Sequence, residues 1–226
     1  MGTFKTPEEL KDALAHPERL LSDAEKVFEE FKDFAESLMN NFQIKKDDNR
    51  LYWMNDIEFY LFSDNHQDIV TYPRRSKEGM WFFHASGVDI TFKSSFPDET
   101  AETSKQKPFL AKGAVFGGIL IREIVPIDDL KRKIFGPIKV CDELFDQFDA
   151  FGKPEHFPEI VPADEKREVK LEKGIVRNGF STDDEKKVQS ILKYNYSGYD
   201  EKAFPENKLI ERYRHYREEG LYRFKA

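Results

Sequence analysis

Residues 114–125 read AVFGGILIREIV, and no other stretch constrains the fold as strongly. The run is strongly apolar and rich in branched side chains that pack well on a pleated surface, so it predicts a β-strand. It falls well short of the roughly 18 apolar residues that a membrane helix needs, and no other stretch approaches that length. Two features interrupt it. Gly117-Gly118 predicts a bulge or a close approach of another backbone. Arg122 sits inside the run, where a guanidinium needs a partner because burying an unpaired charge is expensive. That partner is either a carboxylate of this chain, with Glu58 one candidate, or a substrate anion.

Glu58 lies in a second strand-like stretch, DIEFYLF at residues 56–62. Period-two alternation puts Ile57, Phe59 and Leu61 on one face and Glu58, Tyr60 and Phe62 on the other. If the second face is solvated, Glu58 is an ordinary exposed charge. If it is enclosed, the aromatic neighbours desolvate the carboxyl and suit it to general acid or base work near neutral pH. Between these two stretches, Met80-Trp81-Phe82-Phe83 and Val88-Asp89-Ile90-Thr91-Phe92 flank Ala85-Ser86-Gly87. This predicts a hairpin with Gly87 at the turn, and with His84 and Asp89 beside it.

The N-terminal part reads as helical. Thr6-Pro7-Glu8-Glu9 supplies an N-cap, a proline at the first helical position and the Glu of a capping box. Ser22-Asp23-Ala24-Glu25 repeats the device, and a Phe stripe at helical spacing follows to Phe42. That stripe predicts a helix docked on the core. Residues 93–112 predict a polar mobile loop, 128–151 a helix interrupted at Gly136-Pro137, and 181–193 and 208–219 two later helices joined by a loop.

Composition narrows the function. The chain has 226 residues with 21 Phe spread along it, which points to one continuous core. Cys141 is the single cysteine, so an internal disulfide and a multi-cysteine zinc site are excluded. Asp64-Asn65-His66-Gln67-Asp68 fits no compact metal-ligand spacing. No dinucleotide or phosphate-binding glycine loop, serine nucleophile elbow or zinc-protease helix motif is present. The N-terminus carries no apolar leader, so a cytoplasmic location is expected. The net charge of −7 weighs against indiscriminate duplex binding, which needs local Lys and Arg to release counterions. Two basic clusters with nearby aromatics stand out, Arg74-Arg75-Ser76-Lys77 and the C-terminal stretch from Arg212 to Lys225.

The order of these pieces resembles the methylpurine (alkyladenine) DNA glycosylase family. Glu58-Phe59-Tyr60 is similar to its Glu-Ala-Tyr strand, and residues 81–87 to its aromatic hairpin. Residues 119–126, ILIREIVP, are similar to its Val-Leu-Ile-Arg-Ala-Leu-Glu-Pro strand. Gly136-Pro137-Ile138-Lys139-Val140-Cys141 and the closing Gly220-Leu221-Tyr222-Arg223-Phe224 echo two further segments. The resemblance implies a single α+β domain over residues 46–226, built on a curved, mostly antiparallel sheet with surrounding helices. Residues 1–45 are then an N-terminal helical extension packed on that core. It implies cleavage of the N-glycosidic bond of a purine without metal or other cofactor, Glu58 activating water. Tyr60 and Phe83 would stack on a flipped base, with His84 and Arg122 holding the nucleotide. Arg74, Arg75, Ser86, at the place of the family's hairpin-tip tyrosine, and Lys93, near the place of its strand asparagine, would lie along the nucleic-acid backbone. The implied partner is damaged duplex DNA or a free nucleoside, the implied state a monomer, with no membrane attachment. Two rivals stand beside this: an inactive nucleobase- or ligand-binding module of the same fold, and a protein-interaction domain that uses the Phe-rich helix.

Overall fold

The computed structural model describes residues 3–22, 26–47, 50–97, 112–146, 151, 157–174, 184–195, 202, 204–219 and 222–226. At its centre lie the two stretches picked out above, as strands β2 (Leu51–Ser63) and β6 (Phe116–Pro126). They pair antiparallel from Tyr52↔Pro126 to Phe62↔Phe116, with register shifts around Asp56. An extra residue in one strand of a pair bends it. On the far side of β6 lie β5 (Gly87–Thr91) and then β4 (Trp81–His84); on the far side of β2 lie β1 (Phe42–Lys45) and then β8 (Glu159–Pro162). Four short strands complete the sheet: β3 (His66–Gln67) and β10 (Arg223–Lys225) on β2, β7 (Ile134–Phe135) on β6, and β9 (Glu172–Lys173) on β10. Every pairing is antiparallel and the sheet curls, so the described residues form a single α+β domain with a curved antiparallel sheet.

Glycine makes the central pairing close. A Cβ on Gly117 would lie 2.1 Å from the Tyr60 carbonyl oxygen, so no other residue fits there without shifting a backbone. This is the close approach expected of the glycine pair.

One face of the sheet carries the main core. Ile57, Phe59 and Leu61 meet Ile119, Ile121, Ile90 and Phe92, and the helices α1 (Pro7–Ala15) and α2 (Val27–Asn41) cover them with Leu10, Leu14, Phe31, Phe34 and Leu38. The α1 capping box forms as expected, Thr6 accepting from the Glu9 amide and Glu9 from the Thr6 amide. The second capping device falls mostly on residues 23–25, which lie outside the described set; the Ser22 hydroxyl donates backwards to the Arg19 carbonyl, and Lys26 takes the N-cap position of α2 with no side-chain capping bond. Phe42 begins β1 instead of ending the helix, so residues 1–45 include a sheet strand.

The other face carries a smaller apolar cluster at one end. Phe62, Phe96 and Phe116 pack there under α4 (Asp184–Asn195) and α5 (Glu206–Glu219), through Val188, Leu192, Leu209 and Tyr213. Of the helix expected over 128–151, residues 147–150 lie outside the described set, and the described residues form only α3 (Pro137–Leu144). Asp129 accepts from the amides of Lys131 and Arg132, a local turn that competes with helix, and Gly136 adopts φ 109° before Pro137 opens α3. The hairpin tip is Ala85-Ser86. Gly87 is already the first residue of β5, and its bare Cα admits Pro137, which a Cβ would approach to 2.8 Å. Of the loop expected at 93–112, residues 98–111 lie outside the described set.

Candidate functional site

Strand register aligns one transverse row across the sheet. Arg223 of β10 faces Glu58 of β2; Glu58 faces Leu120 of β6; Leu120 faces Asp89 of β5; and Asp89 faces Phe82 of β4. Directly paired residues project to the same side, so these five share the face opposite the main core. Adjacent strands lie about 4.8 Å apart, so Glu58 and Asp89 stand about 10 Å apart at the backbone, across Leu120.

Glu58 is 1 % exposed, so it is not the solvated surface charge that one reading allowed. Its Oε2 accepts from Arg122 at 2.8 Å, the arginine reaching across from two residues further along β6. The two interrupting charges of the apolar runs thus answer each other. Arg122 keeps 24 % of its side chain exposed, while its Nε is enclosed with no hydrogen-bond partner among the described residues. Two residues along β2, Tyr60 stands half-buried opposite Gly118.

Asp56 and Asp89 repeat the pattern. Asp56 is fully buried and accepts two bonds from Arg223, Nε at 2.9 Å and a terminal nitrogen at 2.5 Å. That bond holds the Arg223 guanidinium even more firmly charged than usual, against the opposing effect of burial, and the Asp56 and Glu58 charges add to it. Asp89 is bound by buried Arg74 on one oxygen and by His84 Nε2, at 3.0 Å, on the other. The Ser86 amide donates to His84 Nδ1 at 3.3 Å, which leaves the proton of a neutral ring on Nε2, directed at Asp89. Arg74 also stacks over the Phe82 ring at 4.2 Å. A Cβ on Gly118 would lie 2.8 Å from the Arg74 guanidinium, so the second glycine of the pair makes room for this ion pair.

The expected residues therefore divide. Glu58, Tyr60, His84 and Arg122 share one face. Phe83 does not join them: β4 alternation turns it to the other side, half-exposed, where its ring meets Phe145 at 4.7 Å. Phe82 is the hairpin aromatic on the Glu58 side. Arg74, expected along a nucleic-acid backbone, is buried against Asp89 and turned away from solvent. Arg75, Ser86 and Lys93 are exposed. Part of the C-terminal basic cluster is engaged within the molecule: Arg223 pairs with buried Asp56, half-exposed Arg214 with Asp184 at 2.7 Å, and Tyr213 and Tyr216 lie in the core. His66 of β3 is buried, donating Nδ1–H to the Leu61 carbonyl at 2.6 Å among Phe31, Tyr216 and Tyr222.

Sequence reasoning missed the acids at 56 and 89 as members of the same face. A signal was present: Asp56 shares the parity of Glu58, and Asp89 sits mid-strand between apolar neighbours.

No protein-family model, curated protein or solved structure matches the chain. What the arrangement can do therefore rests on its own chemistry. A buried carboxylate braced by a partly exposed guanidinium, with half-buried Tyr60 and Phe82 on the same face, can accept a proton from water beside a flat ligand.

Proposed function

We propose that this face hydrolyses the N-glycosidic bond of a purine in nucleic acid or in a nucleoside. The observation that carries the reading is the Glu58–Arg122 pair, set in a sheet face that also presents Tyr60 and Phe82. As an ion-pair partner Glu58 is a carboxylate, the form that accepts a proton from an attacking water. The water oxygen bonds to the sugar carbon as the carbon–nitrogen bond breaks. The bonding pair leaves with the base, which takes up a proton from solvent, and Glu58 returns the water's proton to solvent. Arg122 holds Glu58 through one terminal nitrogen, and the exposed part of its guanidinium is available to an acceptor on the ligand. Tyr60 and Phe82 supply planar surfaces for a base drawn out of its stack. If the substrate is DNA, the exposed Arg75, Ser86 and Lys93 are the side chains available for its backbone.

Substituting Glu58→Gln keeps the shape and removes the base. Base release from alkylated duplex or from purine nucleosides should fall by at least about a hundredfold, with the melting temperature measured alongside to show that the fold survives. Undiminished release by the folded variant removes Glu58 from the chemistry.

The depth of Glu58 favours a second reading, a binding module of the same fold in which Glu58 and Arg122 only brace the site. Under that reading ligand binds, Glu58→Gln weakens or spares binding, and no base is released by either protein.

A further inference from the structure

At the far end of the sheet from Arg122 is a cleft of about 700 Å³, lined in part by His16, Arg75, Lys77, Lys93, Ser95 and Phe96. It draws three cations from two separate segments, in a chain whose net charge is −7. Among the described residues no carboxylate lies within ion-pair distance of Arg75, Lys77 or Lys93, whereas most other arginines of the described set are paired. The one acid in the lining, Glu18, hydrogen-bonds His16 at 3.0 Å and lies within ion-pair distance of none of the three cations.

The cations stand on a fixed frame. The Ser94 amide donates to the Ser76 carbonyl, the Ser76 amide to the Ser94 hydroxyl, and that hydroxyl to the Arg74 carbonyl. The Lys93 amide donates to the Leu14 carbonyl, which ties the same segment to the end of α1. Arg75 lies over the ring of Phe96 at 4.6 Å, and Phe96 is itself stacked on Phe116. Stacking holds a guanidinium by its flat face and leaves the in-plane N–H donors free.

We propose that this cleft binds a phosphate group carrying two or more negative charges. Three cations without a carboxylate partner among the described residues exceed what one carboxylate neutralises, while a diphosphate or a terminal phosphomonoester supplies the charge. The arginine fork and lysine point charges are the side chains that recognise it. The cations converge on one hollow instead of forming a stripe, which suits a compact phosphate more than a long duplex backbone. The phosphate belongs either to a free small molecule or to the end of a nucleic-acid strand. The inference builds on the phosphate role given above to Arg75 and Lys93 and is independent of hydrolysis at Glu58.

The test is calorimetric titration of the full chain with inorganic pyrophosphate at low salt. One equivalent should bind, the affinity should fall as salt rises, and the double substitution Lys77→Gln/Lys93→Gln should weaken binding by about tenfold or more with an unchanged melting temperature. Glu58→Gln should bind pyrophosphate as the parent does, which separates this site from the proposed hydrolysis. Competition by a short single strand with a 5′-phosphate, but not by the same strand without it, assigns the phosphate to a strand end. Failure of both strands to compete assigns it to a free small molecule. Absence of pyrophosphate binding at low salt, or equal binding by the double variant, overturns the proposal.

Discussion

At the scale of single residues, the unusual feature is three buried carboxylates on one sheet face, each with its own arginine: Asp56 with Arg223, Glu58 with Arg122, Asp89 with Arg74. Buried pairs of this kind contribute little net stability, because desolvation offsets attraction, but removing one member leaves the other exposed to the full penalty. In the Arg74–Asp89 pair both partners are almost fully enclosed, whereas Arg122 and Arg223 keep part of their side chains exposed. Replacing Arg74 by Ala should therefore cost about 3–5 kcal/mol in urea unfolding. The double change Arg74→Met/Asp89→Leu should cost much less than the sum of the singles, because no orphan charge remains. A small single-site effect would show that Asp89 finds water in the folded state. Sequence alone singled out both members of one pair, Arg122 inside an apolar run and Glu58 inside an aromatic strand, with Glu58 one candidate partner for the arginine. It named no partner for Arg74 or Arg223, because those pairings depend on cross-strand register.

At the scale of elements, α3 is pinned to the sheet by polar contacts as well as apolar ones. The Tyr52 hydroxyl of β2 donates to Glu143 at 2.7 Å, and the buried Lys46 ammonium donates to the Glu143 carbonyl and pairs with Asp146 at 2.5 Å. Burial, followed by the bond to Glu143, pushes the Tyr52 phenol well above its ordinary value of 10.0. A raised folded value means that the native state retains this proton when the unfolded chain loses it. The contribution is complete below about pH 10 and declines as pH rises above it. Stability measured by denaturant should thus fall on the alkaline side more steeply for the parent than for Tyr52→Phe. Parallel curves for the two proteins would place the alkaline loss elsewhere. The elements themselves were legible to different degrees. The α1 capping box, both central strands and the hairpin follow from local patterns. The length of α3 and the position of Gly87 did not, because Asp129 closes a competing local turn and Gly87 makes room for Pro137, which is distant in sequence.

At the scale of the whole molecule, the N-terminal segment is integral. Phe31 and Phe34 of α2 pack edge-on to Phe59, Phe4 packs on Phe34, and β1 pairs with both β2 and β8. Deleting residues 1–45 would uncover that aromatic core and expose the edges of β2 and β8. The truncated chain should be insoluble or lack a cooperative melting transition. A soluble, cooperatively folded truncation would instead favour the reading in which the Phe-rich helix serves a partner. Among the described residues no helix is long and apolar enough to cross a membrane. By itself the sequence determined that there would be a paired-strand core, a helix with an apolar Phe stripe, and charges stranded in apolar strands, because periodicity and the cost of burying charge act locally. Only the tertiary structure decided that Phe82 and not Phe83 shares the face of Glu58, that Arg74 is consumed by Asp89, and that Arg75, Lys77 and Lys93 surround one hollow. Those outcomes depend on strand register and sheet curvature, which are fixed by pairings between residues far apart in the chain.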